Sequence, residues 1–155
     1  MNVSDLKKEY EKYEKKFKLP TFKSINEDFE VDKIEYIGDC FLRQIRKSMI
    51  EKVVNSVNFL EMLLNPVNAP RIYYGYLKSI SVEDKQYIED LYTNLGQLSV
   101  DSLSLEIDYS DAKEAALIKN LFKVWNDLKP KFRQIITHIK NPEKMEAKKE
   151  KSYFG

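Results

Sequence analysis

The chain lacks much of what common chemistry needs. Its 155 residues include one cysteine (Cys40), one histidine (His138), one tryptophan (Trp125) and four glycines. A single cysteine forms no internal disulfide, and one Cys with one His cannot assemble a Cys/His zinc site within the chain. Gly38, Gly75, Gly96 and Gly155 stand too far apart to build a phosphate-cradling loop. No apolar run approaches the ~18 residues of a membrane span, and the residues after Met1 carry no signal-like apolar stretch. The expectation is a cytoplasmic protein that does not engage a membrane. Charge is nearly balanced, at 26 Lys+Arg against 25 Asp+Glu, so no strongly basic surface marks a nucleic-acid binder.

What is present is a large apolar and aromatic content, 43% and 12% respectively, enough for a substantial core. The apolar residues recur at helical spacing. Leu6, Tyr10, Tyr13 and Phe17 predict a helix over 4–18, closed by Leu19-Pro20. Residues 20–32 read as an acidic connector. Ile34, Ile37, Phe41, Ile45, Met49, Val53, Val57, Leu60 and Leu64 then keep a 3–4 rhythm, predicting one helix over 33–64 of about 48 Å, stopped by Asn65-Pro66. A short helix follows over 71–80. Ser81-Val-Glu-Asp84 starts another, in which Ile88, Leu91, Leu95 and Leu98 keep heptad spacing. Leu103, Leu105 and Ile107 alternate like a strand, yet helix to about residue 105 is favoured because a lone strand has no visible partner. A last helix runs from about Asp111, with a kink or break expected near residue 128 because Pro130 cannot donate to Asn126. The prediction is an all-α fold: an elongated bundle of four to five helices in one domain over 1–142, followed by a charged tail over 143–155.

Charge varies along the chain. Residues 81–110 hold seven acids against Lys85 alone, a local balance of −6. Asp108-x-x-Asp111-x-x-Glu114, with Glu106 upstream, sets carboxylates at spacings that suit a hard cation. Acids at a helix start are equally what the helix dipole favours, and no metal or other cofactor is expected. Arg43, Arg46 and Lys47 form a small basic cluster, with Asp39–Arg43 and Lys47–Glu51 at ion-pair spacing along the helix. Cys40 and Trp125 read as core residues.

The catalytic candidate is Arg133-Gln-Ile-Ile-Thr-His138, an arginine followed by four residues and then the chain's histidine. On a late helix of an all-α bundle this stretch resembles the Arg-x4-6-His motif of HEPN-type ribonucleases. That resemblance implies a metal-independent endoribonuclease, with His138 as acid or base on a 2′-hydroxyl and Arg133 steadying the phosphate. The tail ends Lys-Ser-Tyr153-Phe154-Gly155, and two terminal aromatics after a charged stretch suggest a docking peptide. It resembles the diaromatic end of sliding-clamp-binding peptides, with Ala147 and Glu150 where those carry Gln and an aliphatic residue. With so few groups able to exchange protons near neutral pH, the leading expectation is a non-enzymatic helical interaction or scaffold module. Its partner would be another protein or a second copy of the chain. The ribonuclease and a nucleic-acid-binding accessory protein are the alternatives.

Overall fold

The computed structural model describes residues 3–35 and 40–141. It is all-α: six α-helices, α1 (Val3–Phe17), α2 (Phe22–Phe29), α3 (Phe41–Leu64), α4 (Tyr74–Ser79), α5 (Val82–Ile107) and α6 (Asp111–Lys140), with single 3-10 turns at Val31–Lys33, Pro66–Asn68 and Arg71–Tyr73. None of these helices is long and apolar enough to cross a membrane.

Local chemistry sets the boundaries. The Thr21 hydroxyl accepts from the Ser24 N–H and starts α2. Ser81 starts α5 the same way, accepting from the Asp84 N–H at 3.0 Å while donating to the Asp84 carboxylate at 2.9 Å. Ser110 accepts from the Lys113 N–H and starts α6, whose first turn carries Asp111 and Glu114 at the positive end of the dipole.

Helices α3, α5 and α6 form the frame. Arg46 meets Glu114 near the starts of α3 and α6, and Phe59 meets Phe132 toward their ends, so these two run the same way. Helix α5 runs against both: its C-terminal residues Ser102 and Glu106 reach Arg46, and its first turn reaches Lys131 through Asp84. Helices α1 and α2 cover α3 and α6. Tyr13 stacks on Phe41, Lys119 donates to the Phe17 carbonyl, Phe29 meets Trp125, and Lys129 pairs with Asp28 at 2.7 Å. Helix α4 and the turns before it close the far end, with Tyr73 against Phe59 and Tyr76 against His138.

Three expectations change. The helix expected over 33–64 begins at Phe41 instead. Val31–Lys33 is a 3-10 turn, Ile34 is extended, and Cys40 enters α3 with a left-handed backbone. Ile34 still packs against the core, which is why its spacing looked helical: the rhythm reported burial, not backbone shape. The acidic connector contains α2, bringing the α-helices among the described residues to six rather than four or five. The frame's longest helix is α6, at 30 residues, and it passes Pro130 without a break. Pro130 is exposed, so its ring lies on the solvent side of α6 rather than in the core. The favoured helix through about residue 105 is present, and residues 100–107 are helical throughout.

Candidate functional site

The two charged clusters of the sequence meet each other. Arg46 is 1% exposed and Glu114 fully buried. The Arg46 guanidinium donates from Nε to Glu114 Oε2 at 2.6 Å, from Nη2 to Glu106 Oε1 at 2.6 Å, and from Nη1 to the Ser102 hydroxyl. This fork-shaped recognition is what lets a guanidinium lie inside a core. Burial works against its charge, but the bonds to Glu114 and Glu106 outweigh that and hold it above its ordinary value. Lys47 joins Glu106 at 3.2 Å instead of the expected Glu51. Asp39, the expected partner of Arg43, lies outside the described residues. Arg43 instead donates to the Leu105 carbonyl at 3.2 Å, lies 3.7 Å from Glu114, and sits over the Tyr109 ring. The Tyr109 hydroxyl donates to Asp111; burial first, and that bond second, hold its phenol above the usual range. Of the carboxylates that suggested a cation site, Glu106 and Glu114 bind arginine and Asp111 accepts from tyrosine.

Beside this network a cleft of about 890 Å³ opens between the end of α2 and the outer side of α3. Its cations are engaged locally: Lys33 with Glu30 at 2.7 Å, Lys47 with Glu106, and Lys52 with the Asp28 carbonyl while lying over the Phe29 and Trp125 rings. Cys40, half-buried at the start of α3, also lines it.

At the other end of the bundle, Arg133 is exposed and His138 half-buried. Five residues apart on α6, they project about 140° apart. The His138 ring lies 6.4 Å from that of Tyr76 and contributes to holding Asp84 below its usual range, a shift caused chiefly by the Lys131 ion pair. Burial, with the Asp84 charge adding, pushes the Tyr76 phenol up to about 12. No contact joins Arg133 to His138 among the described residues. Tyr153 and Phe154 lie outside those residues.

The feature that sequence reasoning missed is the outward side of α5. Ile88, Leu91, Leu95, Leu98, Ser102 and Leu105 face α3 and α6 and are buried. On the opposite side Val100, Leu103 and Ile107 are 55%, 67% and 86% exposed. With Gly96 they repeat at spacings of four, three and four, which places them in one line along the helix. A second 3–4 series interleaved with the first was the available signal; the alternation of Leu103, Leu105 and Ile107 hid it. No family model matches the chain, and no curated protein or solved structure is significantly similar to it.

Proposed function

We propose that the chain is a non-enzymatic helical interaction module, a cytoplasmic bundle that presents the outer face of α5 to another protein. The observation carrying this reading is the aligned Val100, Leu103 and Ile107, large apolar side chains that the rest of the described chain leaves in water. Scattered exposed apolar residues are ordinary on a surface, but a row at heptad spacing is how a helix meets another helix. The polar network at Arg46 supports the same reading, because its acids and bases are committed to one another and hold the three frame helices together.

The test is parallel capture from cell extract with three proteins: the wild type, Leu103→Glu/Ile107→Glu, and the control Val67→Glu on the exposed turn after α3. The expected result is a protein retained by wild type and control and lost from the double variant. Identical retention by all three overturns the reading. So does cleavage of labelled RNA by the wild type that His138→Ala abolishes.

A further inference from the structure

Resting on the proposed interaction face, we infer that its occupant is a basic amphipathic helix of a partner protein, laid along the outer side of α5. Charge complementarity singles out this occupant. Residues 81–110 carry seven acids against Lys85. Two of the acids are engaged inside the fold: Asp84 with Lys131 at 2.7 Å, and Glu106 with Arg46 and Lys47. Glu83, Glu89, Asp90, Asp101 and Asp108 form no ion pair among the described residues. Asp101 follows Val100 of the apolar row and so lies about 100° round the helix from it, and Asp108 caps the helix directly after Ile107. Asp90 and Asp101 are held in place by Gln86 and Gln97, at 3.2 and 2.9 Å. The face is therefore an apolar ridge with an acidic bank.

A helix with apolar residues at i, i+3 and i+7 and Lys or Arg beside them satisfies both parts at once. An antiparallel second copy would not, because it would set the acidic bank of one chain against that of the other. Gly96 fits the same picture. A Cβ built there meets nothing within 4 Å, so the fold itself does not require glycine at that position. A backbone closely crossing the ridge would.

The probe is a synthetic peptide of about five helical turns with leucines at i, i+3 and i+7 and lysines on the flanks. A second peptide carries the same leucines with glutamates on the flanks. Fluorescence anisotropy with the full chain should show binding of the lysine peptide, weakened about tenfold or more by Leu103→Glu/Ile107→Glu. Asp90→Asn/Asp101→Asn should weaken it about threefold and flatten its loss between about 50 and 500 mM salt. Val67→Glu should change nothing.

Equal binding of both peptides, no binding of either, or binding indifferent to the α5 substitutions overturns the inference. Sedimentation of the wild type and of Tyr153→Ala/Phe154→Ala separates the other occupants. A dimer lost in the Leu103→Glu/Ile107→Glu variant makes the occupant a second copy. Peptide binding that appears only in the tail variant makes it the chain's own terminus. Either result overturns the basic partner while leaving the interaction face intact. The face itself fails only if the capture experiment above is also indifferent to the α5 substitutions.

Discussion

The two sides of α5 carry the same rhythm and meet opposite fates. On the inner side Ile88, Leu91, Leu95, Leu98 and Leu105 are covered by α3 and α6, and the polar member of that row, Ser102, takes a bond from Arg46. On the outer side Val100, Leu103 and Ile107 repeat at the same spacing in water. Apolar periodicity tells that a face is suited to cover; it does not tell what covers it. A helix with apolar residues on both sides is a middle layer, and in the described chain α5 has a neighbour on one side only. The inner side should therefore carry stability, and the outer side should carry almost none.

The largest effect is expected where the inner row turns polar. Glu114→Ala leaves the buried Arg46 guanidinium with Glu106 and Ser102 but without its main counter-charge, and should cost about 3–5 kcal/mol in urea unfolding. Replacing the pair together, as Arg46→Met/Glu114→Leu, should cost far less, since apolar groups of similar volume do not strand a charge. A double variant as unstable as the single one would show that the network organises the three helices by more than charge balance. Next comes Leu95→Ala, fully buried between the frame helices, expected to cost about 2–5 kcal/mol by the same measurement.

Acid should reach the same junctions by another route. The bond to Arg46 chiefly, and Lys47 after it, holds the Glu106 carboxyl below its ordinary value of 4.5, as Lys131 does for Asp84 below 3.8. A carboxyl with a folded-state pKa below its unfolded one binds fewer protons in the folded chain, so the stability it contributes is complete above the unfolded value. It is lost as pH falls from about 4.5 through the folded values. Melting temperature should drop over that range, less steeply in Glu106→Gln and Asp84→Asn. An unchanged slope in both variants would mean that these pairs are too well solvated to matter.

Much of the architecture was legible because helix starts and core rows are local. Ser81 with its acids, the stop at Asn65-Pro66, and the buried row of α5 are written in neighbouring residues. What was not legible depended on distance along the chain. Arg46 and Glu114 are 68 residues apart; locally Arg46 looked like one of a basic cluster on a helix and Glu114 like an acid at a helix start. Ile34 kept helical spacing although its own backbone is extended, because packing against the core constrains a side chain's position and leaves its backbone free. Pro130 looked like a break because the sequence does not show that it faces water. Of the candidate site, the Arg133 and His138 pattern was visible at once, whereas the α5 ridge required knowing which of two apolar rows faced inward.

Two small effects sharpen the comparison further. Gly96→Ala adds a Cβ into open space on the outer side, so it should stabilise the chain by about 0.5–1 kcal/mol through helix propensity alone. Leu103→Ser, a few residues on, should change stability by no more than about 0.5 kcal/mol, because two thirds of that leucine is already in water. Leu103→Ser is the more telling variant. The same chemical change at Leu98, one row inward, removes a side chain from the interior and should cost several times as much. If Leu103→Ser instead cost about 2 kcal/mol or more, the ridge would have to be covered in the isolated chain, by its own terminus or by another copy. The outer row would then be a second piece of core, and the acidic bank beside it would be the rim of a closed interface rather than an open one.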